Sequence, residues 1–164
     1  MAIRFTAAAG ALNLLALGAC DPQRISELEE GVATEADVRE RFGALEIIWK
    51  GPAGERVFEY NRQPAGQRNF MITIGRDGPM TALRQVLHPV TFSKVHAGMA
   101  MEDVHRLLGK PMTITPYALT NAVAWDWRYL QPPNTPMVFT VWFGPDDHVL
   151  GAGAAPDPQA PENR

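Results

Sequence analysis

The sequence predicts an α+β fold of two tandem units, each a short helical pair packed on an antiparallel sheet of three or four strands. Three features point there. The stretch Gly98 to Pro111 holds a helix with its own stop, the stretch Gly31 to Gly43 repeats it, and strand and turn patterns follow both copies in the same order. Self-similarity at a fixed period marks a supersecondary unit that buries its apolar face against its neighbours.

In the later copy Met101, Val104 and Leu108 fall at i, i+3 and i+7 and form one apolar stripe. Gly109 then supplies a residue free to turn left-handed, and Pro111 prevents the helix from resuming. In the earlier copy Val38 and Phe42 take the places of Val104 and Leu108. Thr34 there is placed to accept from the amide of Asp37, whose carboxylate answers the Thr34 amide, whereas Ala100 leaves the second helix without that cap.

Upstream, Ile25, Leu28 and Gly31 match Phe92, Val95 and Gly98 at an offset of 67, while Thr34 to Gly43 match at 66. One residue has therefore been gained or lost near Val32-Ala33. Downstream, Phe58-Glu59-Tyr60 answers Trp125-Asp126-Trp127, and Phe70 to Ile74 answers Met137 to Val141, both at 67.

Alternating apolar runs bounded by turn residues place the strands at Glu46 to Trp49, Arg56 to Asn61, Asn69 to Ile74 and Met80 to Leu87. The second unit repeats them at Met112 to Thr115, Ala122 to Tyr129, Met137 to Phe143 and His148 to Ala152. Gly75-Arg76-Asp77-Gly78 and Gly144-Pro145-Asp146-Asp147 are the matching hairpin turns. The units are accordingly 25–88 and 89–152, with sheets free to join edge to edge. Residues 153–164 lack large apolar side chains and are expected to form a disordered tail.

Residues 1–19 carry one cation, Arg4, and an apolar run from Ala7 to Leu17. That run is too short to cross ~30 Å of hydrocarbon and reads as a secretory signal peptide. Cys20 is the only cysteine, so no intramolecular disulfide forms. Leu17-Gly18-Ala19-Cys20 resembles the bacterial lipobox, which makes Cys20 the expected lipid anchor and 20–24 a short tether to the membrane.

With 15 Lys and Arg against 18 Asp and Glu, and few basic runs, nucleic acid is not an expected partner. Ser26 and Ser93 are the only serines and neither sits in a nucleophile motif, while His88, His96, His105 and His148 lack metal-ligand spacing. The expectation is a non-enzymatic chain without cofactor or metal. What remains is surface. Trp125, Trp127 and Tyr129 project from one sheet face, where they either pack beneath the helices or serve as anchors for a protein partner. Arg56, Arg62 and Arg68 surround the Gln63 to Asn69 loop and are candidates to meet lipid phosphates.

Gly98-Met99, Val104 and then Leu108-Gly109-Lys110-Pro111, followed by an aromatic strand and a hairpin, resemble the BamE family (SmpA/OmlA), lipoproteins of the bacterial outer-membrane assembly machinery. Val57 to Tyr60, running through Arg62-Gln63-Pro64 to the strand Phe70 to Ile74, fits the same pattern. The tandem arrangement is similar to that of beta-lactamase inhibitory proteins. The resemblance implies a lipid-anchored scaffold or stabilising subunit on the periplasmic face of the outer membrane, with other envelope proteins, among them the assembly complex, as partners. The inhibitory proteins imply an alternative, a periplasmic binder that grips an enzyme with a concave sheet face. Asp21, next to Cys20, resembles a signal that retains lipoproteins in the inner membrane, the alternative address.

Overall fold

The computed structural model describes Ile25 and residues 27–160, so the expected signal peptide, Cys20 and the tether lie outside the described residues. The first unit runs α1 (Glu35–Phe42), β1 (Ile47–Lys50), β2 (Arg56–Asn61), β3 (Asn69–Ile74) and β4 (Met80–Gln85). The second runs α2 (Pro89–Phe92), α3 (Met101–Leu108), β5 (Thr113–Tyr117), β6 (Ala122–Gln131), β7 (Thr135–Phe143) and β8 (Val149–Pro156). Each unit forms its own four-stranded antiparallel sheet, ordered β1-β2-β3-β4 and β5-β6-β7-β8. The sheets do not join edge to edge; a helix lies between them.

Local chemistry starts the helices as the sequence requires. Thr34 N–H donates to the Asp37 carboxylate at 2.8 Å and Asp37 N–H to the Thr34 hydroxyl at 3.3 Å, closing the capping box on α1. Ala100 offers α3 no side-chain cap, so that helix owes more to packing. Val38 and Phe42 of α1 are buried against Phe58, Tyr60, Phe70 and Ile72 on one face of the first sheet.

α3 does more than cover its own sheet. Val104 and Leu108 pack with Trp125, Trp127 and Val141 of the second sheet and with Met71 of the first, in one cluster. The molecule is therefore layered as α1, first sheet, α3 with α2, second sheet. The first sheet is covered on both faces, and its central strand β3 is buried at five of six positions.

The duplication is visible bond by bond. Glu46 N–H donates to Glu59 O as Met112 N–H does to Asp126 O, and the loops Gly75 to Pro79 and Gly144 to His148 close with the same backbone bond. These bonds equate Glu59 with Asp126 at the expected offset of 67. From β3 onward the offset is 69, because Phe58 faces Ile72 while Trp125 faces Val141. The expected match of Phe70 to Ile74 with Met137 to Val141 is thus corrected by two residues, absorbed in the longer β6–β7 hairpin. A slip of two keeps every side chain on its own face, so alternation alone does not register it.

The expected disordered tail is also corrected. Gly153 to Pro156 belong to β8 and pair with Met137 to Thr140 of β7, and Asp157 continues the ladder by donating to Pro136 O at 3.1 Å. The long neighbour β7 supplies hydrogen bonds that a run of Gly, Ala and Pro does not announce by itself. Only residues 161–164 of that tail lie outside the described residues.

Replacing Leu108, which is fully buried between the two sheets, by Ala is expected to lower unfolding free energy by ~2–5 kcal/mol, read as a shift of the urea midpoint. An unshifted midpoint would contradict the shared-helix packing.

Candidate functional site

Two places concentrate polar or exposed aromatic chemistry, and they occupy equivalent faces of the two sheets. On the first sheet, the face opposite α1 carries Trp49, Val57, Glu59, Asn69 and Met71, and the C-terminal end of α3 sits on it. Glu59 is fully buried and accepts three hydrogen bonds: Lys110 N–H at 2.6 Å, Trp49 Nε1–H at 2.9 Å and His105 Nε2 at 3.2 Å. Burial by itself raises the carboxyl pKa, but the bonds from His105, the Lys110 amide and Trp49 outweigh it and hold Glu59 below the usual carboxylate range.

Asn69 completes the clamp by donating to Leu108 O at 2.9 Å and Lys110 O at 3.1 Å, satisfying carbonyls that a helix end leaves open. The rim adds Arg106 stacked over Trp49 and an ion pair between Lys110 and Glu46. Elsewhere Gln63 ties the units by donating to Arg128 O at 2.8 Å and accepting from Arg128 N–H. These contacts orient one unit on the other.

On the second sheet the equivalent face, with Ala124, Asp126, Val138, Thr140 and Trp142, has no helix over it among the described residues. Its polar groups satisfy each other, as in Thr140 Oγ1 to Asp126 at 2.5 Å, and Arg128 binds Asp157 at 2.9 Å. Trp142 remains 39% exposed and Tyr117, on the same face through its pairing with Ala122, 49%. Near them Leu119 at the β5–β6 turn is wholly exposed.

The aromatic residues singled out from the sequence are elsewhere. Trp125, Trp127 and Tyr129 face the helices and are buried, Trp127 donating to Gly109 O at 2.9 Å and Tyr129 meeting Phe92 edge-on. They are core, not a partner surface, because only that face of β6 is helix-covered. The aromatics that do meet solvent, Tyr117 and Trp142, have the opposite parity on their strands, a signal readable in the alternation once the covered face is known.

Of the three arginines, Arg62 and Arg68 meet across the loop, Arg62 N–H donating to Arg68 O at 3.2 Å, but Arg56 is not with them. Arg56 lies at the far end of β2, roughly 20 Å of strand from Arg62, and pairs with Glu35 at 2.6 Å while stacking on Phe58. Arg62 lies over Phe42, and Arg68 lines a cleft of about 400 Å³ with Gln67, His88 and Pro132. Strand β2 separates what the loop seemed to gather. Among the described residues no group of three or more His, Cys, Asp or Glu side chains is placed to hold a metal ion, and no helix is long and apolar enough to cross a membrane.

No family model and no curated protein matches the chain. A solved structure of a DUF4309 family protein (YjgB) from Bacillus subtilis is similar at 16% identity, covering 83% of this chain and 86% of that one, with a TM-score of 0.33. A likeness that loose carries no inference about what this chain does.

Because the Glu59 carboxyl is held below its ordinary value of 4.5, the folded state binds fewer protons than the unfolded one near that pH. Its contribution is present above the unfolded pKa and lost as pH falls through the folded one. Unfolding free energy is therefore expected to decline below about pH 5, and Glu59→Gln to be destabilised at pH 7 with a shallower acid slope than the parent. An unchanged slope would mean that Glu59 is not charged in the clamp.

Proposed function

We propose that the protein is a membrane-anchored, non-enzymatic envelope lipoprotein that acts as a scaffold, with the bare face of its second sheet as the docking surface for a partner protein. One observation carries this reading. The face of the first sheet that receives a neighbouring unit at Glu59, Asn69 and Met71 has an equivalent in the second sheet, and there it stands open among the described residues, with Trp142 and Tyr117 exposed on it. Aromatic side chains on an uncovered sheet face supply large contact area at small entropic cost, which is what protein interfaces select.

The substitutions between the faces fit a different occupant. Trp49, Glu59 and Asn69, which grip a helix end, correspond to Thr115, Asp126 and Val138, so the second face does not reproduce the clamp. The BamE-like motifs support placing the chain among outer-membrane assembly lipoproteins, anchored through Cys20 on the periplasmic side. The same open face supports a second reading, a periplasmic inhibitor that grips one soluble enzyme. The helical pair of the first unit belongs to this proposal too: the turn in which Leu28 N–H donates to Ile25 O matches the one that follows α2, where Val95 N–H donates to Phe92 O.

Pull-down with the full-length protein from detergent-solubilised envelopes separates the readings. Assembly-machinery subunits are expected among the partners; a single soluble enzyme would favour the inhibitor. Tyr117→Ala with Trp142→Ala is expected to abolish capture while the protein still unfolds cooperatively in a thermal melt, since both side chains lie on the uncovered face, 49% and 39% exposed. Retained capture would move the docking surface elsewhere. Cys20→Ala is expected to shift the protein from the membrane to the soluble fraction, and on a density gradient Asp21→Ser reports whether the anchored protein prefers the outer or the inner membrane.

A further inference from the structure

The outer edges of the two sheets are closed differently. In the first unit, the segment before α1 covers β4: Gly31 N–H donates to Met80 O at 2.7 Å and Met80 N–H to Ala33 O at 2.7 Å. The Glu30 carboxylate then accepts the next outward amide, Leu83 N–H, at 2.9 Å while also holding Arg84. Those two contacts, the amide first, hold the Glu30 carboxyl below its usual range.

In the second unit the corresponding segment makes the first two bonds, Gly98 N–H to Val149 O at 2.8 Å and Val149 N–H to Met99 O at 2.9 Å. There it stops. At the offset of 67 that relates Gly31 to Gly98, Glu30 corresponds to Ala97, which has no carboxylate; at the offset of 69, Leu83 corresponds to Ala152. The group that seals β4 is missing from β8.

Asp157 N–H donates to Pro136 O, so from Gly151 onward the odd residues of β8 bond to β7. Ala152 and Ala154 thus turn their N–H and C=O groups away from the sheet, and both are exposed. From Val149 to Ala155 the edge has no charge and no proline, the devices by which sheet edges normally refuse another strand.

We infer that β8 is a self-association edge: two copies pair their β8 strands antiparallel about a two-fold axis at Gly153, joining two four-stranded sheets into one. The register follows from which groups are free. Centred on Gly153, Ala152 of each copy exchanges both backbone bonds with Ala154 of the other. Centred on Ala152, Ala154 would meet Leu150 at the bulge; centred on Ala154, Ala152 would meet Pro156, which has no N–H. A symmetric contact sets like residues near one another, which costs nothing along an uncharged strand. Directly opposed residues share a face, so the two Trp142 and Tyr117 surfaces merge on one side of the joined sheet.

The test uses the full-length protein in density-matched detergent. Sedimentation equilibrium is expected to show a dimer, and Ala154→Pro, which removes an outward N–H from each copy and no bond within the fold, is expected to weaken it about tenfold. Residue 153 would face its own copy across a non-hydrogen-bonded pair with Cα atoms ~4.5 Å apart, within disulfide range. A Cβ at Gly153 meets nothing nearer than the Trp142 ring at 3.8 Å, so the fold accommodates Gly153→Cys. Mild oxidation is expected to cross-link Gly153→Cys and not Ala152→Cys, both compared in the same Cys20 background. A monomeric parent protein overturns the inference, as does a dimer that Ala154→Pro leaves intact or that cross-links equally through both cysteines. Should Ala154→Pro fail to fold, the cysteine pair decides alone.

Discussion

At Gly109 the chain turns with φ +76° against the first sheet, and a Cβ there would lie 3.0 Å from Asn69 Nδ2, 3.3 Å from Glu59 Oε1 and 3.4 Å from Met71 Cε. Both the dihedral and the space call for glycine. This approach lets the end of α3 be satisfied from two sides: Asn69 reaches Leu108 O and Lys110 O from the first sheet, and Trp127 reaches Gly109 O from the second. The layering, the burial of Val104 and Leu108, and the orientation of the units all depend on the backbone coming that close.

A consequence is that one helix serves two sheets. Duplication produced two similar units but only one such junction, so the first sheet has both faces covered and the second has one. The residues at equivalent positions diverged with their surroundings. Glu59, enclosed by Trp49, His105 and Lys110, stands where Asp126 accepts from Thr140; Met71, sunk in the central cluster, stands where Thr140 is half-buried on the uncovered face. The same inequality appears at the edges, where Glu30 seals β4 and Ala97 leaves β8 open. Both the proposed docking face and the proposed self-association edge lie where the second unit lacks the groups that cover the first.

Much of the fold was legible. The capping box at Thr34 and Asp37, the apolar stripe of α3 and the glycine stop at Gly109 are local features, and each forms as its chemistry requires. The candidate site was less so. Trp125, Trp127 and Tyr129 were singled out because aromatics on one strand face suit either a core or an interface; deciding between them needs the position of α3. Arg56 and Arg62 look adjacent around a loop, yet an extended strand of six residues holds them apart. Tyr117 and the exposed Trp142 are not distinguished by the sequence: Trp142 sits between apolar Val141 and Phe143, and which side of β7 is covered depends on where α3 packs.

The sequence by itself determined α1, α3 and the cores of the eight strands, and that the chain is two copies of one plan, since these rest on periodicity, caps and turns within a few residues. Only the tertiary structure decided that α3 is shared, that β3 and β7 correspond at an offset of 69, that Gly153 to Pro156 form strand, and that among the described residues a face of the second sheet and the outer edge of β8 are left uncovered. Those outcomes depend on contacts between residues far apart in the chain, such as Glu59 with Lys110 and Asn69 with Leu108. A two-residue slip preserves alternation, and a Gly-Ala run becomes strand only when a neighbouring ladder offers it hydrogen bonds.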